Sequence, residues 1–492
     1  MSGYLKNIEL LDEAQGYWQA SSDFRIRRER CKRYCYGDQW SDRVMVDGKW
    51  MKEDQYIRSM GSEPLKNNLI RRLVKQVLGL FRRQMEEGDG AQVPSEQPYL
   101  AEAYRQMRLL NDMDEMNARA LEELLISGLT IQRKTYGVRH GVRGCFTDNV
   151  SPGRFIIDSS FRDTRGWDVR CVGEIHDLSF DELCAEFAHS EADFTLLADI
   201  YNPATYDERI SQLLCRFGAA QSADIAFRTP ASSACRVYEL WRRERRPGYL
   251  CHDVAQGQLF WVDVVTAPSV EAVNQWRQTK EVAIPPIGMR WMMTDEWRYY
   301  YLTPFGDVLD EGVSPYAHRQ HPYVFKAYPF VDGEVHSFVD DIIDQQRYTN
   351  RLITLYDWVM RSSAKGVLIV PEESIPDGYT IDDVASQWSR FNGVIPVKTR
   401  NGALLPQQVS ANAVGVGIND LLSTQLSFME DISGVTGALQ GKAGGPSMSG
   451  RLYEQQTHNA SLSQLDLLES FDSFLREARR KDISNLRQYV VG

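Results

Sequence analysis

The sequence predicts an α+β protein, because strand patterns and helical patterns occupy separate stretches of the chain. Short apolar and aromatic runs alternate with turn residues mainly between residues 130 and 302, as in a strand-rich body. Helical periodicity dominates before this region and again from residue 338 onward. The length of 492 residues allows roughly two to four domains, and a hydrophobic share of 43% supplies core material for them.

The first 128 residues are predicted to be mostly helical. A basic helix is expected over residues 18–36, ending at Gly37, and a hairpin follows where Asp47-Gly48 separates two short apolar runs. Pro64 is placed in the first turn of a helix that runs to about Met85. Two further helices are predicted near residues 99–110 and 112–128.

The strand-rich middle begins at residues 130–138, and further strands are predicted at 260–265 and 289–302. Within it, Ser179 and Glu182 have the spacing of a capping box, which predicts a helix reaching His189. The basic run at residues 241–246 precedes Pro247-Gly248 and is interpreted as the solvated edge of a hairpin rather than a nucleic-acid contact.

The C-terminal part is predicted to contain long helices interrupted by a small folded insert. Residues 338–363 form one helix, and the insert over 366–409 contains strands at 366–370 and 394–398, a helix at 381–390 and a last strand after an Asn401-Gly402 turn. A helix over 413–433 and a glycine-rich stretch follow. The last helix, of about forty residues from Gly450, would be roughly 60 Å long and would have to contact other subunits or cross an extended assembly.

Composition excludes several classes of protein. The net charge of −11 argues against a conventional nucleic-acid binder, which needs a basic surface to neutralise phosphates. The eight cysteines show no CxxC pairs, so neither a zinc site nor a disulfide framework is expected. No run reaches the roughly eighteen apolar residues of a membrane-spanning helix, and the start lacks a secretory signal, which suggests intracellular assembly.

No catalytic site, metal site or cofactor is predicted. Gly441-Lys442 looks like the end of a P-loop, but Thr436 and Ala443 occupy positions where that motif needs a glycine and a Ser or Thr. His318 and His321, three residues apart in a loop, are interpreted as surface residues rather than metal ligands. A nuclease would need clustered carboxylates or histidines, and the sequence indicates no such cluster.

Four stretches of the sequence together carry a resemblance to a known family. The first is residues 33–40 (RYCYGDQW), and the second is residues 67–79 (NNLIRRLVKQVLG). The third is residues 321–324 (HPYV) followed by 341–350 (DIIDQQRYTN), and the fourth is 434–437 (GVTG) through 449–456 (SGRLYEQQ). No single stretch is specific, but in this order across almost the whole chain they resemble the portal (head-to-tail connector) proteins of tailed bacteriophages.

The resemblance implies a ring, commonly a dodecamer, built from portal-type subunits. It assigns residues 1–337 to an α/β wing, 338–364 to a first stem helix, 365–410 to a clip and 411–434 to a second stem helix. Residues 435–450 would be a tunnel loop and 451–492 a long wing and tunnel helix. Family members normally continue into a crown or barrel, whereas this sequence stops at Gly492, so the crown is expected to be absent or the sequence to be a fragment.

The resemblance also implies three groups of functional residues. The DNA-facing tunnel loop would use Gln440, Gly441, Lys442, Gly444, Gly445, Ser447 and Ser449. The stem helix motif would comprise Asp341, Asp344, Gln345 and Asn350, and the docking face of the clip would comprise Glu372, Glu373 and Asp377. Lys442 could instead be a solvated linker residue, and the clip acids could simply form a solubilising face.

The function implied is a structural, non-enzymatic channel at one capsid vertex. Double-stranded DNA would be packaged through it by the terminase motor and later ejected, and the major capsid protein and tail adaptors would attach to it. The protein would be assembled in the host cytoplasm and reside in the virion, without a membrane partner. The alternatives are a DNA-processing enzyme such as a nuclease, and a soluble scaffold or adaptor whose long helices form a bundle within one chain.

Overall fold

A computed structural model describes most of the chain: residues 6–88, 98–215, 226–230, 234–279, 284–365, 367–389, 395–398, 406–409, 417–435, 462 and 464–491. The chain divides into two compact units. The first unit comprises Met1–Lys32, Val74–Asp340 and Thr457–Gly492, and the second unit comprises Arg33–Leu73 and Asp341–Gln456.

Helices account for much of both units, as the sequence predicts. Those with described bounds are α1 (Ile8–Ala20), α2 (Ser22–Tyr36), α3 (Glu53–Ser59), α4 (Leu69–Gly88), α5 (Pro98–Leu110), α6 (Met113–Ser127), α7 (Phe180–Phe187), α8 (Glu191–Ile200), α9 (Pro203–Cys215), α10 (Ala267–Gln278), α11 (Phe338–Lys365), α12 (Ile381–Ser389), α13 (Ile418–Ser433) and α14 (Leu465–Leu486). A π-helical turn, Arg487–Val491, follows α14.

The strands are short except in the centre of the first unit. They are β1 (Arg43–Val46), β2 (Lys49–Lys52), β3 (Leu129–Arg139), β4 (Val142–Asn149), β5 (Phe155–Ile157), β6 (Cys171–Leu178), β7 (Cys235–Asp253), β8 (Gln258–Asp263), β9 (Gly288–Leu302), β10 (Val308–Val313), β11 (Tyr323–Ala327), β12 (Phe330–Val331), β13 (Glu334–Val335), β14 (Val367–Ile369) and β15 (Gln407–Val409).

The first unit contains a six-stranded antiparallel sheet in the order β10-β9-β7-β6-β5, with β8 also paired to β7, and a three-stranded sheet in the order β11-β3-β4. β9 pairs along most of the 19-residue β7, whereas β6 pairs with β7 only as far as Arg242 and β8 only from Gly248. The basic run at 241–246 lies inside β7 and pairs with β9 on one side; on the other side it extends into the stretch between the segments paired with β6 and with β8, where Arg245 is exposed, so the solvated edge is confirmed although the run does not end a hairpin. Pro247 lies inside β7, between the segment paired with β6 and the segment paired with β8. On that side of the strand no neighbouring strand needs a backbone N–H, so proline is tolerated there.

The core of the first unit is packed between these sheets and the helices. One cluster joins both sheets through Ile131, Trp241, Trp297 and Phe325, among others. A second cluster packs α1 against the larger sheet, with Leu10, Leu11, Ala14 and Trp18 among its buried members. The sequence analysis did not predict α1: Asn7 caps it, accepting a hydrogen bond from the Leu10 amide, and a break at Ser21 separates it from the basic helix α2.

The last helix differs from its prediction. α14 spans 22 residues, about 33 Å, and Gln464 before it is in a turn, so the helix does not run unbroken from Gly450. Residues 451–461 lie outside the described residues. One face of α14 is buried in the first unit through Phe471, Phe474, Leu475 and Ala478.

The second unit contains the predicted hairpin. β1 pairs with β2 across Asp47 and Gly48, and both turn residues have positive φ, 49° and 76°, as a two-residue hairpin turn requires. The prediction of Pro64 in a first helical turn is wrong, because α4 begins at Leu69. In the insert, β14 pairs with β15 and α12 forms as predicted, whereas residues 395–398 are not a strand. The Asn401-Gly402 turn lies outside the described residues.

Candidate functional site

The predicted stem helix motif lies on α11, but its four residues have different surroundings. Asn350 is fully buried, with 1% of its surface exposed. Asp341 and Asp344 are exposed, and Gln345 is half-buried. Of the four, Asn350 is the one that takes part in the buried polar network described next.

Asn350 lies at the centre of this network in the second unit. Its Nδ2 donates to Oε1 of Gln39 at 2.7 Å, and its Oδ1 accepts from Nε2 of Gln346 at 2.9 Å. The backbone N–H of Asn67 also donates to the Asn350 Oδ1, at 3.2 Å. Both side-chain ends of this buried amide are therefore satisfied, as burial of a polar group requires.

Gln346, one helical turn before Asn350, holds the start of α4. Its Oε1 accepts from the backbone N–H groups of Leu69 and Ile70, at 3.0 and 3.3 Å, and its Nε2 donates to the carbonyl of Asn67 at 2.7 Å. The first N–H groups of a helix have no partner within that helix. A side chain of α11 thus supplies part of the cap of α4.

Asn68 completes this cap and connects it to the turn after α2. Its Oδ1 accepts from the Arg71 N–H at 3.1 Å, which is the N-cap interaction, and its Nδ2 donates to the carbonyl of Cys35 at 2.9 Å. Gln39 Nε2 donates both to the Asn68 Oδ1, at 3.2 Å, and to the Tyr34 carbonyl, at 2.9 Å. We call Gln39, Asn67, Asn68, Gln346 and Asn350 the polar junction.

The polar junction brings together three of the sequence stretches on which the family resemblance depends. Residues 33–40 supply Gln39, residues 67–79 supply the two asparagines, and residues 341–350 supply Gln346 and Asn350. Gln346 was not among the predicted site residues, although it follows the predicted Gln345. Only helix phase distinguishes the two glutamines, because Gln346 shares a face with Asn350.

A buried ion cluster adds to the attachment of α11. Glu53, the first residue of α3, is 4% exposed. Its carboxylate accepts from the Arg351 guanidinium at 2.9 and 2.5 Å and from Arg347 at 3.3 Å. Because neither amides nor paired carboxylates of this kind supply a nucleophile or a free base, the polar junction and Glu53 fix the position of α11 rather than perform chemistry.

The predicted clip residues are only partly described. Glu372 begins a short 3-10 turn, Glu372–Ser374, and is exposed, and the side chain of Glu373 lies outside the described residues. Asp377 is exposed and pairs with Lys398 Nζ at 2.5 Å. An exposed pair of this kind contributes little stability, so the role of these acids as a docking face stays a prediction. The seven predicted tunnel loop residues, between 440 and 449, lie outside the described residues.

The first unit contains a cluster that the sequence analysis missed. Glu174, His176 and Glu239, on neighbouring strands β6 and β7, place possible ligand atoms within 4.8 Å of one another. His176 Nε2 lies 3.0 Å from Glu239 Oε2, and Glu239 Oε1 accepts from the Trp241 indole at 2.8 Å. The sequence offered one signal for this cluster: Glu174 and His176 are two residues apart on a strand, so they share a face. Glu239 is distant in sequence, so no local pattern connects it to them.

A guanidinium already supplies the positive charge in this cluster. Arg133 from β3 lies 3.2 Å from Glu239 and 3.5 Å from Glu174, and a divalent cation would have to compete with it. Burial alone would raise the pKa of Glu239, but the hydrogen bond from His176 and the charge of Arg133 lower it to about 2. Burial would lower the pKa of His176, and Glu239 instead raises it above its ordinary value. The cluster is therefore an ion network between the two sheets and not a fitted metal site.

The interpretation of both loop histidines as surface residues is wrong for His321. Only 7% of His321 is exposed, and its ring packs edge-on against Trp297 with centroids 4.7 Å apart. Burial lowers its pKa well below the ordinary value, so it is neutral near pH 7. His318 is half-buried, and burial lowers its pKa to about 3. Neither residue belongs to the possible metal-binding group found among the described residues.

None of the described helices combines the length and apolar character needed to cross a membrane.

Comparison with known proteins identifies the class. A family model described as Phage P22-like portal protein matches residues 11–492, nearly the whole sequence. The protein is thus a phage portal protein, a component of the capsid and head-to-tail connector. Within that class, the chain belongs to the P22-like portal family, which is structural rather than enzymatic and implies a capsid-associated oligomeric ring. A search of curated proteins found no match.

Proposed function

We propose that copies of this chain form a ring-shaped channel, a dodecamer, at one vertex of a phage capsid. Double-stranded DNA would be packaged through this channel by the terminase motor and later ejected through it. The major capsid protein would surround the ring, and tail or adaptor proteins would attach to it after packaging. The observation that carries this proposal is the family match over residues 11–492.

The polar junction supports a structural role for α11 as the first stem helix. A helix that lines a channel must keep its position while a polymer moves past it, and buried, fully satisfied amides favour a single arrangement. Gln346 and Asn350 connect α11 to the start of α4 and to the turn that carries Gln39. We propose a stem at residues 338–364 and 411–434, a clip at 365–410 and a wing at 1–337, the divisions that the family resemblance implies.

The net charge of −11 is consistent with a channel for a polyanion. Each phosphate neutralised by Lys or Arg adds salt-dependent affinity, so a channel that lets DNA slide must keep such contacts few. In the proposed tunnel loop, Lys442 would supply one cation per subunit, and glycines such as Gly441, Gly444 and Gly445 would lower the cost of changing backbone geometry.

The cluster of Glu174, His176 and Glu239 gives the nuclease alternative little support. A metal-dependent nuclease needs carboxylates or histidines that hold a divalent cation. Here Arg133 lies in contact with the carboxylates. A nuclease would be indicated by metal-dependent DNA cleavage that a Glu239→Gln substitution abolishes. A scaffold or adaptor would be indicated by particles that form no ring.

A packaging assay tests the proposed function. Lys442→Ala, or a deletion that shortens the stretch between Gly441 and Gly445, is expected to lower the yield of packaged or retained DNA without preventing ring assembly. Lys49→Ala, which removes an exposed lysine from the β1–β2 hairpin, is the matched control. Packaging yields that stay unchanged in both loop variants would count against a DNA-contacting role for this loop.

A further inference from the structure

One pocket of the first unit has a cationic lining that the proposed function does not use. It has a volume of about 380 Å³ and is lined mainly by α14, by the loop between β5 and β6 and by the segment that leads into β11. Charged and polar side chains outnumber apolar ones in this lining. Its basic side chains are those of Arg165, Arg243, Arg319, Lys481, His318 and His321. We call it the cationic pocket.

The acids at the cationic pocket already have arginine partners. Each forms an ion pair: Asp163 with Arg165 at 2.9 Å, Asp295 with Arg245 at 3.4 Å, and Glu477 with Arg480 at 3.0 Å. Asp295 also lies 3.9 Å from Arg243. Arg319 and Lys481 are therefore the lining cations that form no ion pair within the described part of the chain.

Lys481 is the most deeply buried cation of the pocket, with 4% of its surface exposed. Its Nζ donates to the carbonyls of His321 and Tyr323 at 2.8 and 2.7 Å. Both partners are neutral, and an ammonium group has three N–H donors, so one donor is left for a further acceptor. Burial lowers the pKa of Lys481 to about 7, and an anion bound beside it would favour the charged form.

Two more donors lie in the lining beside Lys481. His318 Nδ1 accepts a hydrogen bond from the Gln320 N–H at 3.1 Å. Because a neutral imidazole donates from one nitrogen only, Nε2 carries the ring proton, and this buried atom has no hydrogen-bond partner. Arg319 is exposed, and its backbone is left-handed, with φ of 55°. An unpaired N–H and an unpaired guanidinium are complementary to the oxygens of an anion.

We propose that the cationic pocket binds a small phosphate-type anion through Lys481, Arg319 and His318. A tetrahedral oxyanion offers acceptor oxygens in several directions, and these donors come from two separate elements, α14 and the segment before β11. A pocket of this volume suits a small ligand rather than a polymer. The proposal goes beyond the channel function and does not depend on ring formation, because every lining residue belongs to the first unit of one chain.

Isothermal titration calorimetry of the purified, full-length protein with inorganic phosphate tests the proposal. The buffer is free of phosphate, near pH 7, and chloride keeps the ionic strength constant. The variants are Lys481→Met and Arg319→Asn, since asparagine tolerates a left-handed backbone. The matched control is Arg143→Asn, which removes an exposed arginine of β4 that is not part of the lining.

The wild type is expected to bind one phosphate per chain with a Kd of about 1 mM or below, and each pocket variant should bind about tenfold more weakly. The control variant should bind like the wild type. Arg319→Asn changes an exposed side chain, so it keeps the test decisive even where Lys481→Met lowers the unfolding midpoint. A wild type without saturable heat, or equal weakening by the control, would overturn the proposal. Acetate binding as tight as phosphate binding would also overturn it, in favour of a carboxylate ligand.

Discussion

At the scale of single residues, the buried amides of Gln346 and Asn350 matter most. Each uses both ends of its side chain, and their partners include backbone groups at the start of α4. A buried polar group stabilises a fold only while its hydrogen bonds are complete. The polar junction therefore makes the position of α11 specific, because a shift of the helix would leave several buried groups unpaired.

Asn350→Ala is expected to destabilise the protein by about 2–4 kcal/mol, since the buried Oε1 of Gln39 loses its donor and the Asn67 N–H and Gln346 Nε2 each lose an acceptor. Chemical denaturation followed by fluorescence measures this change. Asp344→Ala, on the exposed face of the same helix, is the matched control and is expected to change stability by less than about 0.5 kcal/mol. Equal effects of the two substitutions would contradict the role of the polar junction.

A second prediction at this scale concerns Lys481. Burial lowers the pKa of this lysine to about 7, whereas an unfolded lysine keeps a pKa near 10.4. Between these values the unfolded chain binds a proton that the folded chain does not, so the contribution of Lys481 to stability rises with pH. Below about pH 7 both states are protonated, and the cost of burying the charge is fully present.

The difference in unfolding free energy between wild type and Lys481→Met should therefore increase from pH 7 to pH 10. Subtraction removes the contributions of other titrating groups, such as the buried tyrosines and cysteines. Denaturant titrations of both proteins at several pH values measure this difference in unfolding free energy. A difference that is flat, or that falls over this range, would show that Lys481 remains charged in the folded protein.

At the scale of helices and strands, two glycines with nearly the same positive φ give a matched comparison. Gly48 in the β1–β2 hairpin has φ of 76° and Gly128 at the end of α6 has φ of 77°. A Cβ at Gly48 would meet no atom within 4 Å, whereas one at Gly128 would lie 1.7 Å from the carbonyl oxygen of His336.

Gly48→Ala is expected to cost about 1–2 kcal/mol, the cost of a left-handed conformation with a side chain. Gly128→Ala should cost at least about 2 kcal/mol more, because the backbone at His336 must also move. Thermal and chemical unfolding of the two variants compare them directly. A smaller loss for Gly128→Ala than for Gly48→Ala would contradict the close approach of Gly128 to the backbone of His336.

The ion network around Arg133 connects the two sheets of the first unit. Arg133 is on β3 of the smaller sheet, and its partners Glu174 and Glu239 are on β6 and β7 of the larger one. Arg133→Met is expected to destabilise the protein by roughly 3 kcal/mol, because the buried carboxylate of Glu239 loses a partner. Arg143→Met, at an exposed position on β4, is the control for loss of one charge, and a similar change in unfolding free energy for both variants would argue against the network.

The elements that the sequence predicts well are those whose signals are local. The Asp47-Gly48 turn and the Ser179 capping box each depend on a few adjacent residues, and both are confirmed. The start of α4 was misplaced although its N-cap, Asn68, is a local signal; the rest of the cap comes from Gln346, which is 277 residues from Leu69. Likewise, residues 241–246 are strand because β9 pairs with them, and no local pattern indicates that partner.

The same distinction applies to the candidate site. The resemblance to a family could select the stretches around Gln39, Asn67 and Asn350. It could not predict that these stretches converge in one polar junction. The family resemblance suggested Asp341 and Asp344, which are exposed, while helix phase selects Gln346 and Asn350 for burial. Glu239 joins Glu174 and His176 only through the pairing of β6 with β7.

At the scale of the whole molecule, the account depends on assembly. The family match identifies a portal protein, and the proposed channel exists only when several copies close around an axis. The stem helices, of which α11 is held by the polar junction, would then surround DNA, and the clip would present Glu372, Glu373 and Asp377 to motor or adaptor proteins.

Electron microscopy of the purified, full-length protein, with particles classified by rotational symmetry, tests this account most directly. We expect closed rings, dodecameric in most particles, with an open axis wide enough for duplex DNA. A population of single compact chains, or of closed assemblies without an axial opening, at concentrations where portal rings form would contradict the central claim.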